Sequence, residues 1–243
     1  MGSTDRLESV FEGFVRDVRG LFGEDAVAVI VYGSAVTEEY LPGKSDINFL
    51  VALTDAGIRR IGIVQDKIRS WQKQRIGLPL FMTKEYIHAS LDSFPIEFLN
   101  IRSAYRVLFG EDVLKEITFS KADLRLQCER ELKGKLLQLR QGFVQTRGKA
   151  RALKRLIAES VVAFASIFRA LLFLKDRDVP ASKTEVFLNG CREFDLEEGL
   201  FSVLLSVKRF EAKLTKMQLE SNVKRYIDQI AALSRTVDTM KFK

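Results

Sequence analysis

The stretch AVAVIVYGSAV, residues 26–36, constrains the fold more than any other part of the chain. Seven consecutive residues of strand length run directly into Gly33-Ser34. An apolar run this short, ended by glycine, reads as a buried strand, and Gly-Ser then opens a short helix. A second run, DINFLVAL at residues 46–53, reads as another strand. Before them, Leu7, Val10, Phe11, Phe14, Val15, Val18 and Leu21 recur at helical spacing over residues 4–22, and Gly23 can end that helix. Residues 55–74 read as a helix rich in exposed Arg and Lys, and residues 77–82 and 95–101 as further short strands, with Pro95 tolerable as a first strand residue. Strands alternating with helices indicate an α/β or α+β unit up to about Leu114.

After LFGEDVL at residues 108–114 the strand signals stop. Long helical patterns follow at about 121–147, 149–175, 182–192, 196–213 and 216–240. Pro180 supports a break before the third of these, and Ser182 with Glu185 has the spacing of a capping box. The expected organisation is therefore an α+β domain over residues 1–115 followed by an all-α helical bundle over 116–243. No internal repeat is present.

Composition narrows the class. A chain of 243 residues with 47% hydrophobic residues and 4 prolines can bury a sizeable core and does not resemble a disordered protein. Cys128 and Cys191 lie too far apart in helical sequence to form a ligand cluster, so they read as reduced thiols of a cytoplasmic protein rather than a zinc site. The first residues lack the basic-then-apolar order of a signal peptide, and the apolar run at 161–174 is interrupted by Arg169 and too short to span a bilayer. Net charge is divided: residues 1–118 sum to −3 and residues 119–243 to +10. The basic half could meet an anionic partner such as a nucleoside triphosphate, RNA or an acidic protein, or could simply be a solvated helical surface.

The chemistry-bearing residues concentrate early. Gly33 permits close approach of a phosphate to the backbone, and Ser34 adds a hydroxyl at a turn whose N–H groups face outward. Asp46 follows 13 residues after Gly33, and alternation along a strand would place Asp46 and Asn48 on one face with Ile47 and Phe49 on the other. Gly-Ser, a spacer of this length, then Ser-Asp-x-(Asp/Glu) on a strand resembles the nucleotidyltransferase superfamily, which includes the bacterial aminoglycoside adenylyltransferases and the minimal nucleotidyltransferases. The resemblance spans roughly residues 26–115.

That resemblance implies a mixed sheet bearing three carboxylates, two from the Asp-x-Asp strand and one from a neighbouring strand. They would hold magnesium ions that orient a triphosphate and activate an acceptor hydroxyl, which displaces pyrophosphate. Carried onto this chain, Gly33 and Ser34 match the phosphate-binding turn, with Lys44 and Ser45 beside it, and Asp46 matches the first carboxylate. Asn48 occupies the second carboxylate position, and Glu97, expected on the strand at 95–101, is the candidate for the third. Glu97 could equally pair with Arg102 or Arg106. Asn48 keeps an oxygen that can ligate magnesium but removes a negative charge that a paired-metal site requires. Two functions remain open: transfer of a nucleoside monophosphate to a hydroxyl, or a nucleotide-sensing or interaction module that keeps the fold without the chemistry.

Other chemistries find little support. His88 is the only histidine, no Gly-x-Ser-x-Gly elbow exists, and no Arg-x-x-x-x-His motif can occur after residue 88. The run Arg147, Lys149, Arg151, Lys154, Arg155 could grip phosphates or RNA, though a solvated helix face is the simpler account of it.

Overall fold

The computed structural model describes residues 3–180, 182–209 and 211–242. The chain divides into two compact units, residues 1–92 with 98–118, and residues 93–97 with 119–243. In the first unit the run Ala26–Tyr32 is strand β1, almost wholly buried, and it occupies an inner position of a four-stranded sheet ordered β3-β2-β1-β4. Strand β2 is Asn48–Leu53, β3 is Leu80–Met82 and β4 is Tyr105–Gly110. The sheet is mixed: β1 pairs antiparallel with β2 and β4, whereas β2 and β3 run parallel. The register sets Tyr32 opposite Asn48, so the end of β1 and the start of β2 lie side by side.

Helix α1, Ser3–Phe22, covers one face of that sheet. Its apolar stripe meets Phe49, Val51 and Leu53, with the Phe14 ring stacked 3.9 Å from that of Phe49 and Phe11 edge-on to it. Aromatic pairs of this kind add about 0.5–1.5 kcal/mol beyond their buried area. The expected helix at 55–74 is broken into α2, Asp55–Arg59, a 3₁₀ turn at Ile61–Val64 and α3, Gln65–Lys73. Within α3, Trp71 is buried and donates to Asp17 at 2.9 Å.

Residues 95–101 are not a strand. After α4, Lys84–Ala89, they begin helix α5, Pro95–Ser103. Proline suits the first turn of a helix, where its missing N–H has no partner to lose, and Ile96, Phe98, Leu99 and Ile101 are buried at helical rather than alternating spacing. The strand lies one segment later, at β4, where Tyr105, Val107 and Phe109 alternate with Arg106 and Leu108.

The second unit is helical after residue 119: α6, Lys121–Thr146; α7, Ala150–Leu174; α8, Lys183–Glu193; α9, Glu198–Lys208; and α10, Lys216–Thr239. Side-chain caps fix several starts: Ser120, Ser182 and Thr215 each accept a bond from the backbone N–H three residues on, and Thr215 with Gln218 completes a capping box. By length and composition α7 is apolar enough to cross a membrane. Here it is the central helix, packed against α6, α8, α9 and α10 with Leu153, Ile157, Phe164, Phe168 and Leu171 buried. Phe168, Phe187, Phe201 and Tyr226 form one aromatic cluster at its middle.

Candidate functional site

The Gly33-Ser34 turn sits where the sequence places it, as a 3₁₀ turn, Gly33–Val36, at the end of β1. Gly33 has φ +80°, a conformation glycine adopts without the Cβ penalty of other residues. Its N–H donates to the Ala104 carbonyl at 2.9 Å, so a phosphate at this turn would use the later N–H groups and the Ser34 hydroxyl. The Ser34 carbonyl is engaged, accepting from the Thr37 N–H and hydroxyl.

Asn48 is part of this turn. A Cβ on Gly33 would lie 3.5 Å from Asn48 Nδ2, and one on Gly77 would lie 3.1 Å from Asn48 Oδ1. The Asn48 amide is therefore flanked by two glycines, and it faces away from the α1 side, to which Phe49 and Val51 point. Tyr32, its cross-strand neighbour, shares that face, and burial raises the Tyr32 phenol above its ordinary pKa. The glycine at position 77 was not among the residues expected from sequence.

Asp46 lies just ahead of β2 rather than within it. Only Ile47 continues the ladder there, through a parallel bridge to Ile76. The Asp46 carboxylate accepts from the Arg75 guanidinium at 2.8 Å. The same guanidinium donates to the Lys44 carbonyl at 2.7 Å and the Ser45 carbonyl at 3.3 Å, while the Arg75 carbonyl accepts from the Ile47 N–H at 2.8 Å. Arg75 holds the left-handed conformation, φ 61°, that non-glycine residues adopt at a cost of about 1–2 kcal/mol. Residues 44–47 are thus organised by one arginine that sequence reading did not single out. Ser45 also differs from expectation: its hydroxyl accepts from the Leu41 N–H at 3.1 Å and closes the loop. Lys44 extends from that loop and forms no ion pair among the described residues.

Glu97 is on helix α5 and in the second unit, not on a strand of the sheet. Its carboxylate accepts from the Gln127 side-chain amide at 2.7 Å, and the Gln127 amide oxygen accepts from the Ile96 N–H at 2.8 Å. This two-way link fastens the start of α5 to α6 and gives Glu97 a structural partner different from either arginine considered above.

These residues do not fit a paired-magnesium site. Of the two positions expected on the β2 face, one carries an uncharged amide, and the Asp46 carboxylate is held by an arginine. The strands flanking β2 contain no acidic residue; on β3 the residues sharing the Asn48 face are Leu80 and Met82. Among the described residues, no group of three or more His, Cys, Asp or Glu side chains is arranged to hold a metal ion. The Asp46–Arg75 pair is exposed, so by itself it is worth only about 0–1 kcal/mol and a metal could displace it.

No protein-family model and no curated protein sequence matches the chain. In structure it is similar to spectinomycin adenyltransferase AAD(9) from Enterococcus faecialis, solved with ATP and spectinomycin: TM-score 0.54, 12% identity, with 92% of this chain and 99% of that one covered. At that identity the likeness is one of fold. The architecture is an α+β nucleotidyltransferase fold followed by a helical bundle.

Proposed function

We propose that this chain is a nucleotidyltransferase-fold protein that binds a nucleotide at the Gly33-Ser34 turn without transferring a nucleoside monophosphate. The observation that carries the reading is the donor set around β2: one carboxylate, Asp46, paired with Arg75, beside the neutral Asn48 and the apolar Leu80 and Met82. Paired-metal phosphoryl transfer needs several negative oxygens to hold both ions, and one exposed aspartate cannot supply them. The turn, by contrast, keeps what a phosphate needs: glycine at φ +80° and a serine hydroxyl that has no hydrogen-bond partner among the described residues. The fold neighbour was solved with ATP, which supports a nucleoside triphosphate as the ligand to test first.

Calorimetry with ATP in magnesium and in chelator tests this, alongside a pyrophosphate-release assay. Binding of similar strength in both buffers, weakened in Ser34→Ala, with no pyrophosphate formed, is the expected result. Magnesium-dependent pyrophosphate release would establish the transferase instead. Absence of ATP binding in either buffer would remove the nucleotide from the proposal.

A further inference from the structure

A separate cavity of about 790 Å³ opens on the α1 side of the sheet. It is lined by Arg6, Leu7 and Val10 of α1, by Tyr40 of the following loop, by Ile47, and by Lys73 and Arg75 at the end of α3, among others. Ile47 alternates with Asn48 and belongs to the core cluster beneath α1, so this cavity faces away from the Gly33 turn. Its volume is within the range of small-molecule sites.

The lining is one-sided in charge. Among the described residues that line it, three are cations and none is a carboxylate. Arg6 and Lys73 form no ion pair among the described residues, whereas elsewhere on α1 Glu8 pairs with Arg106 and Asp17 with Lys67. Arg75 is neutralised in part by Asp46, leaving about two positive charges to be matched. Beside them the wall is apolar, made by Leu7, Val10 and Ile47 together with the partly buried Tyr40. An unpaired cationic group above an apolar floor suits a ligand that is itself divided in the same way.

We infer that this cavity binds a small phosphomonoester with an aromatic or aliphatic body. A phosphomonoester carries about −1.5 to −2 charges at neutral pH, which matches the unpaired cations, and its body would cover Leu7, Val10 and Ile47. Arg75 stands between this cavity and Asp46, and its left-handed backbone is held by the Ile47 bond. A phosphate in the cavity would share Arg75 with the Asp46 carboxylate, so replacing Asp46 by asparagine should tighten phosphate binding here.

Calorimetry on the full chain with phenyl phosphate, inorganic phosphate and benzyl alcohol as probes tests the inference. Phenyl phosphate should bind about tenfold more tightly than inorganic phosphate, because the ring adds buried apolar area, and benzyl alcohol should not bind measurably. Arg6→Glu with Lys73→Glu should weaken phenyl phosphate by about tenfold or more. Arg59→Glu with Lys115→Glu makes the same charge change on exposed residues outside the cavity and should have little effect. Should the first double variant fold poorly, Arg6→Ala with Lys73→Ala replaces it, with the same direction expected. Three results would overturn the inference: no binding of phenyl phosphate, equal loss in the control pair, or loss in Ser34→Ala with binding kept in Arg6→Glu/Lys73→Glu. The last would assign the phosphate to the Gly33 turn instead.

Discussion

Gly110 in the sheet unit and Gly190 in the helical unit are required for different reasons. In the sheet unit Gly110 has φ +76°, and a Cβ there would overlap the Val27 carbonyl oxygen, so the constraint comes from backbone against backbone. In the helical unit Gly190 is an ordinary α8 residue, but a Cβ would run into the Phe168 ring on α7, so the constraint comes from a side chain that needs the space. The contrast extends to polar chemistry. The sheet unit displays its chemistry-bearing residues, Asp46, Arg75 and Lys44, on exposed loops. The helical unit instead holds three ionisable groups inside, Cys128, Cys191 and Tyr226, and burial raises all three above their ordinary pKa values. Backbone geometry therefore sets the constraint at Gly110, and interior packing the constraint at Gly190.

The largest expected effect is at Gly110. Gly110→Ala meets both a left-handed backbone and a carbonyl that cannot yield without tearing the β1–β4 ladder, so a loss of about 3 kcal/mol or more is expected in denaturant unfolding. Gly190→Ala should cost less, about 1–3 kcal/mol, because the Phe168 ring and α8 can shift slightly. Pairing Gly190→Ala with Phe168→Leu should recover part of that loss, whereas no side-chain change at Val27 should rescue Gly110→Ala. Recovery in both would show that the two units are constrained alike.

Alkaline pH should act next, and on the helical unit. Burial pushes the Cys191 thiol from an ordinary value near 9 up to about 12, and Cys128 is raised as well. A raised folded-state pKa means the unfolded chain ionises first, so the stability is intact below about pH 9 and falls as pH rises from there toward 12. The slope is about 1.4 kcal/mol per pH unit for each thiol at most. Thermal unfolding followed from pH 7 to 10.5 should show this decline, and Cys128→Ala with Cys191→Ala should flatten it. An unchanged slope in the double variant would mean the thiols do not sense the interior as described.

The smallest effects belong to the exposed site. Arg75→Ala removes an ion pair worth about 0–1 kcal/mol and two bonds to carbonyls, so stability should fall by about 1 kcal/mol while residues 44–46 loosen. Faster amide exchange at Ile47, whose N–H bonds to the Arg75 carbonyl, is the local readout. Asn48→Asp should change stability by less than about 1 kcal/mol and should not create magnesium-dependent stabilisation, because the neighbouring strand still offers only Leu80 and Met82 on that face. A magnesium-dependent rise in Tm for this variant would restore the metal-site reading.

Much of the fold was legible in the residues. The run of seven at 26–32, bounded by Gly33, reads as a buried strand, the periodic stretch at 4–22 as an amphipathic helix, and the absence of strand signals after 114 marks a helical unit; all three depend on local spacing and bounding residues, which the chain carries with it. The Gly33-Ser34 turn was equally local. The segment at 95–101 was misread because a short apolar run fits helix and strand alike, and only its burial against neighbours selects the helix.

The site was decided by contacts distant in sequence. Asp46 meets Arg75 across 29 residues, and Glu97 meets Gln127 across 30. Nothing in the spacing of either pair announces the other partner. The sequence determined that a glycine-serine turn follows one strand and that an aspartate and an asparagine come at the start of the next. Only the tertiary structure decided that the aspartate faces an arginine, that the amide lies between two glycines, and that the glutamate serves a helix junction. A side chain's charge is written in the chain, but the group that answers it is chosen by how the chain packs.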